Sequence, residues 1–305
     1  MTSTVVIAHG WKGKRAAAAR ALCDRLQHIG RLHDLVHTQH QGHAIELARR
    51  AVAEGAQHVI AVGGDGTVNE VVHGMLLADT ARGSADLSVI PCGSGNDVAR
   101  VLHLRSIHHA IDVAASTAPD IVSADVLDIC YRAYDGSMQQ RYCINVADVG
   151  LGGNVARIRD RRLRQLPGPL GYMLGIVAGM LSTTQQQVDI TLDGTTRRQR
   201  ALTVCIANNT WFGGGLGIAP DASWTDGIAD VVTIGDVSIP AYVTHLPGLR
   251  AARRLQDHRI SYARASTINV THVDEPLPLE IDGEYLGTTP IHVSIDAGAV
   301  RIRTA

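Results

Sequence analysis

The chain has 305 residues, long for one hydrophobic core, so two domains of ordinary size are expected. An apolar share of 45% and a charged share of 19% exclude the disordered and fibrous classes, and aromatics at 4% leave the cores to aliphatic side chains. A net charge of −1 gives no global field that would draw the protein onto nucleic acid or an anionic bilayer, so any membrane contact has to be local.

Residues 4–8 read as a strand, and the opening runs straight into it without the basic and apolar regions of a cleavable leader. An Ala-rich helix is predicted over 14–29, stopped by Gly30, then a weak strand over 32–37 and a helix over 43–54. A strand over 58–62, a helix after Thr67 and a strand over 87–91 follow, the alternation of a parallel sheet covered by helices. From about Ser123 the pattern changes. Apolar runs at 125–133, 141–147, 187–192, 202–207 and 229–234 predict an antiparallel sandwich or barrel, interrupted by an arginine-bearing helix over 154–166 and an almost wholly apolar one over 170–181. The expected boundary lies between 122 and 123, with the last strands returning to the first domain. The apolar run at 169–181 is shorter than the roughly 20 residues that span a bilayer. Cys23, Cys92, Cys130, Cys143 and Cys205 are odd in number, widely spaced and without a CxxC pair, which argues against a disulfide framework or zinc ribbon and fits a reducing cytoplasm.

Two glycine-rich corners carry the chemistry. After the strand over 58–62 stands Gly63-Gly64-Asp65-Gly66-Thr67-Val68-Asn69-Glu70, where glycines let the backbone approach a ligand and the following helix start can hold phosphate oxygens. Asp65 would be repelled by bare phosphate, so it suits a Mg²⁺-bound nucleotide, or else a turn or helix cap. After the strand over 87–91 comes Pro91-Cys92-Gly93-Ser94-Gly95-Asn96-Asp97-Val98-Ala99-Arg100, with Ser94 and Asn96 able to bond phosphate or ribose. Walker-type spacing is absent.

The two strings together resemble the signature of the diacylglycerol-kinase catalytic domain in bacterial lipid kinases, the second distinguishing it from NAD kinases. Thr38 with Gly42-His43-Ala44, the stretch 145–153, and Asn208 with Gly213-Gly214-Gly215 and 219–227 extend the resemblance over nearly the whole chain. It implies ATP bound by Thr38, the corner residues 63–70, Gly93, Ser94 and Asn96; a structural Mg²⁺ held by the Asp226 carboxylate and the carbonyls of Ser223 and Ile228; and Glu284, in Asp282-Gly283-Glu284, as general base for a lipid hydroxyl, with Asp65 as its catalytic companion. The residues alone read Asp226-Gly227 and Asp282-Gly283 as turns. The family's Asn-Pro loop after the first strand is replaced by 8–14, where Gly10, Gly13 and Lys12 or Lys14 are candidates to face phosphate.

His33, His37, His40 and His43 read as a solvated loop rather than a metal site, and Arg157, Arg159, Arg161, Arg162 and Arg164 as a solvated face or a contact with anionic headgroups. The expectation is an α/β nucleotide domain followed by a β-rich domain, acting as an ATP- and Mg²⁺-dependent lipid kinase in the cytoplasm, peripheral at the inner membrane face, without nucleic acid. The rivals are a non-catalytic lipid- or nucleotide-binding protein and a kinase of a soluble acceptor such as NAD. Which lipid is used, and the oligomeric state, are open at this level.

Overall fold

The computed structural model describes residues 4–10, 13–78, 83–158 and 168–305, with the side chains of 168–173 left aside. The chain forms two compact units, one of Met1–Asp125 with Ala297–Ala305 and one of Val126–Asp296.

The first unit alternates β1 (Thr4–His9), α1 (Gly13–His28), β2 (His33–Thr38), α2 (His43–Ala53), β3 (His58–Gly63), α3 (Asp65–Leu77), β4 (Asp86–Pro91), α4 (Asp97–Val101) and α5 (Ile107–Ala115). Its strands lie in the order β2-β1-β3-β4, all parallel. Helices cover both faces, which is why β3 reads as an unbroken apolar run with every residue buried. Ala19, Leu22 and Leu26 of α1 form the apolar stripe of an i, i+3, i+7 pattern and pack with Ala110, Ile111 and Ala114 of α5. Helix α5 is absent from the sequence-based expectation; the Ser106 hydroxyl caps it by accepting from the His109 amide at 3.1 Å.

Strand β5 (Asp120–Ala133) carries the chain onward. The second unit continues with β6 (Met138–Cys143), β7 (Val146–Gly150), α6 (Leu151–Ile158), α7 (Gly168–Ser182), β8 (Gln186–Leu192), β9 (Thr195–Ala201) and β10 (Thr203–Ala207). Then come the two-residue β11 (Trp211–Phe212) and β12 (Leu216–Gly217), β13 (Ala229–Ile234), α8 (Ile239–Arg250), β14 (Ile260–Ala265), β15 (Thr267–His272), β16 (Pro278–Ile281) and β17 (Glu284–Thr304). The strands are antiparallel in the order β14-β13-β10-β7-β16-β17, with β15, β8 and β9 continuing from β17 and β6 paired to β5. Period-two alternation gives the main sheet two buried faces. Val204 and Ile206 of β10 join the sandwich core with Leu127, Val149, Val231 and Ile268, while Cys205 and Ala207 face a second core under the helices with Val155, Ile176, Leu216 and Leu249.

The final stretch of β17 belongs to the first unit and lies parallel to β4, with Arg301 opposite Asp86. Asp86 accepts from Arg301 Nε at 3.0 Å and Arg303 Nε at 3.2 Å, which anchors the strand. The fold is therefore mixed α/β, with an N-terminal α/β unit and a β-rich sandwich. The apolar run 141–147, taken as one strand from the sequence, breaks into β6 and β7, and the helix read over 154–166 runs as α6 from Leu151 to Ile158, its remainder lying outside the described residues. Among the described residues no helix is long and apolar enough to cross a membrane.

Candidate active site

Parallel pairing brings the carboxyl ends of β1, β2, β3 and β4 to one edge, the edge at which open α/β sheets bind ligands. The corner Gly63-Gly64 leaves β3 for α3, and Cys92-Gly93-Ser94-Gly95-Asn96 leaves β4 for α4. The two corners touch backbone to backbone: a Cβ on Gly93 would come within 2.5 Å of Gly64 Cα, so neither position admits a side chain without displacement. Asn96, at φ 56°, closes its loop by accepting from the Gly93 amide at 2.8 Å and donating to the Gly93 carbonyl at 3.1 Å. Ser94 remains exposed.

Asp65 Oδ1 accepts from the Val98 amide at 3.1 Å, which ties the first corner to the start of α4. Burial pushes its carboxyl above the usual range, and the Val98, Asn96 and Asp97 amides oppose that push. Glu70 works as a second tie, accepting from the amides of Gly42 at 3.0 Å and Ala44 at 3.2 Å at the start of α2. Thr67, Val68 and Asn69 are buried behind the corner, so the octapeptide presents Gly64, Asp65 and Gly66 rather than its whole length. Thr38, at the end of β2, is buried with its hydroxyl 3.3 Å from His9 Nδ1.

Positive charge comes from the start of α1. Arg15 Nε donates to the Cys92 carbonyl at 3.4 Å, and Lys14 and Arg15 both oppose the burial that raises the Cys92 thiol. Arg15 carries no motif signal, and only the fold brings it to this edge; Lys12 lies outside the described residues. Of the loop histidines, His37 Nδ1 is 2.8 Å from the Gly10 carbonyl and His43 Nδ1 accepts from the Gln39 amide at 3.0 Å, while His40, His43 and Glu46 bring one potential metal-ligand atom each within 4.8 Å of one another.

In the second unit Glu284 opens β17 directly after a two-residue turn, with Ile281 opposite it. Asp282 and Gly283 have φ of 48° and 89°, the left-handed pair that a tight hairpin needs. The Asp282 carboxylate anchors the turn, accepting from the amides of Ile144, Asn145 and Val146 at 2.9–3.1 Å. Glu284 Oε2 accepts from Arg141 Nη2 of β6 at 3.1 Å. Nothing in the sequence pairs those two residues.

Asp226 accepts from the Ile228 amide at 3.2 Å through Oδ1 and forms an ion pair with Arg264 through Oδ2. Arg264 also lies 3.4 Å from Asp230, whose carboxyl is raised by burial, lowered by Arg264 and raised by the fields of Asp226 and Asp221. The Ser223 hydroxyl is 3.1 Å from that of Thr225. These hard oxygen donors and crowded carboxylates fit Mg²⁺, which would share or displace the Arg264 guanidinium at Asp226. Arg157 donates to Asn154 Oδ1 at 2.7 Å; Arg159, Arg161, Arg162 and Arg164 lie outside the described residues.

The helix-covered face of the second unit bears a carbon-lined pocket that opens to solvent. Leu151, Val155, Ile176, Met180, Leu216 and Ile260 are among the side chains that line it, and nearly all its surface is carbon. Asp148, Thr203, Tyr242 and His245 are polar residues of its wall, and the Asp148 carboxyl is pushed up by burial and held by Thr203, Cys205 and the Gly152 amide.

Residues 3–129 match the diacylglycerol kinase catalytic domain, and residues 145–304 match the YegS C-terminal NAD kinase beta sandwich-like domain. A diacylglycerol kinase of Bacillus subtilis (strain 168) is 29% identical over 249 residues, 82% of this chain and 78% of that protein. One of Staphylococcus aureus (strain Newman) is 30% identical over 258 residues, 83% of this chain and 76% of that protein. The crystal structure of a diacylglycerol kinase from Bacillus anthracis str. Sterne has a TM-score of 0.72 at 19% identity, covering 100% of this chain and 97% of that one. Yeast NADH kinase complexed with NADH has a TM-score of 0.53 at 11% identity, covering 99% and 83%. These last two likenesses concern the fold alone. With both halves matched in order and a relative 30% identical along most of its length, the chain belongs to the diacylglycerol kinase family.

Proposed function

We propose that the protein is an ATP-dependent lipid kinase that transfers the γ-phosphoryl group of ATP to a lipid hydroxyl. The observation that carries the lipid reading is the carbon-lined cavity in the unit that bears Glu284. An aliphatic chain suits such a space, whereas the charged, hydrogen-bonding surface of NAD would lose its water there without compensation.

In this reading the Gly64 and Gly93 corners, Ser94 and the Lys14–Arg15 charge hold the triphosphate, with Thr38 beside it. The lipid oxygen attacks the γ-phosphorus, the bond to the β-γ bridging oxygen breaks, ADP leaves, and the hydroxyl proton passes to Glu284. Arg141 keeps the Glu284 carboxylate oriented and balances its charge. Asp65 is the candidate to hold Mg²⁺ on the nucleotide, and Asp226, with Ser223 and Ile228, is the candidate for a structural Mg²⁺; the ion supplies charge neutralisation on phosphate in the first case and loop cohesion in the second. A kinase of this kind works in the cytoplasm at the inner membrane face, where ATP and the lipid meet.

Purified protein incubated with γ-labelled ATP, Mg²⁺, NAD and a mixed lipid extract should transfer label to one lipid class, resolved by chromatography. Label recovered only in NADP, or in no acceptor, overturns the reading.

A further inference from the structure

We infer that the outer face of α7 is a docking surface for a lipid bilayer. The identity of the partner rests on the lipid-kinase reading; the surface itself rests on the helix. Across its 15 residues, GPLGYMLGIVAGMLS, α7 carries no charged side chain. Its inner face is occupied: Ile176 and Met180 line the cavity, and Gly179 lies so close to α6 that a Cβ there would come within 2.8 Å of Val155. The opposite face is apolar too. Leu174 is 44% and Leu181 75% exposed, with Val177 and Ala178 partly exposed between them. These positions stand at i, i+3, i+4 and i+7, one continuous stripe along the helix.

A helix apolar on both faces is expected to be covered on both. The candidates are a second copy of the chain and a bilayer, and three features favour the bilayer. The stripe offers no hydrogen-bonding group for a specific protein interface; even the hydroxyl of Ser182 donates back to the Ala178 carbonyl at 2.9 Å. The other side of the same helix walls a cavity suited to an aliphatic chain, and such a chain arrives from a bilayer rather than from water. Helix α8, which also lines the cavity, exposes Val243. At 15 residues α7 is too short to span the hydrocarbon core and suits a position along its surface.

Flotation of the full-length protein with neutral phosphatidylcholine vesicles tests this. Wild type should float, and should still do so in high salt, because the contact is apolar. Leu174→Glu with Leu181→Glu should lower the vesicle-bound fraction about 10-fold or more, and the milder Leu181→Ser several-fold, by removal of buried aliphatic surface. Both variants should keep the wild-type thermal midpoint and the wild-type rate on a short-chain diacylglycerol dissolved as monomer. The inference is overturned if wild type does not float, if the double variant floats as wild type does, or if sizing chromatography shows that it only splits an oligomer. If wild type floats and the variants do not, while no lipid is ever phosphorylated, the surface stands and the kinase reading falls.

Discussion

Glu284 and Arg141 lie 143 positions apart in the chain, yet their side chains meet at 3.1 Å with both largely shielded from solvent. A carboxylate held in one orientation by a guanidinium suits a proton acceptor that acts only in the transition state. Glu284→Gln keeps the shape and the hydrogen bond to Arg141. Turnover is expected to fall by roughly 10²- to 10⁴-fold, the scale of general-base removal, with ATP affinity close to wild type. Calorimetry of ATP binding beside labelled-phosphate transfer measures both; an unchanged rate reduces Glu284 to a turn residue.

Asp65 carries two roles that substitution can separate. Asp65→Asn retains an acceptor for the Val98 amide, so the thermal midpoint should stay near wild type while turnover drops about 10²-fold or more through lost charge. Asp65→Ala removes the acceptor as well and should destabilise by a further ~1 kcal/mol, the usual cost of a lost helix cap. Full turnover in the Asn variant with saturating ATP and Mg²⁺ would leave Asp65 as a cap alone.

At Asp226 two cations compete for one carboxylate. Mg²⁺ should raise the thermal midpoint of wild type, by an amount equivalent to about 2.7 kcal/mol when its concentration is 100 times the dissociation constant. Arg264→Gln frees the Asp226 oxygen and should enlarge the response, whereas Asp226→Ala should abolish it. A midpoint indifferent to Mg²⁺ in all three proteins removes the metal from this loop.

Stability should decline in mild acid through His58. Burial, reinforced by the fields of Arg303 and Arg31, lowers its pKa to about 2, and its Nε2 lies 2.8 Å from the Ser88 hydroxyl. The unfolded chain titrates near pH 6.5, so below that pH it binds a proton the folded protein refuses. The contribution is complete above pH 6.5 and is lost as pH falls toward 2, by roughly 1.4 kcal/mol per pH unit. Unfolding midpoints between pH 7.5 and 5 should therefore fall more steeply for wild type than for His58→Gln; parallel slopes would exclude this source.

What the sequence discloses about this fold follows the range of the interaction. The glycine corners and the alternation of the first 120 residues are local and can be read directly, as can the Asp282-Gly283 hairpin. Helix α8 escapes because Pro240 and Pro247 suggest a loop, although one proline sits in the first turn, where its missing amide costs nothing. Strand β9 is polar almost throughout, and its place depends on pairing with β8 rather than on burial. Within the candidate site, Glu70 belongs to a nucleotide-binding string yet its carboxylate serves amides 26 and 28 positions away, a role no motif encodes. Arg15 and Arg141 likewise become visible only when strands bring remote segments together.

Residues 297–305 lie beside β4 but are made only after the whole of the second unit. During synthesis the N-terminal unit emerges first but lacks its outermost strand, so β4 presents an open edge for as long as the next 171 residues are being made. Completion of the first half thus waits until residues 297–305 have been made. A nascent chain truncated before Ala297 should hold an unfinished sheet with the Asp86 carboxylate stripped of Arg301 and Arg303, a species suited to capture by chaperones or by a neighbouring strand.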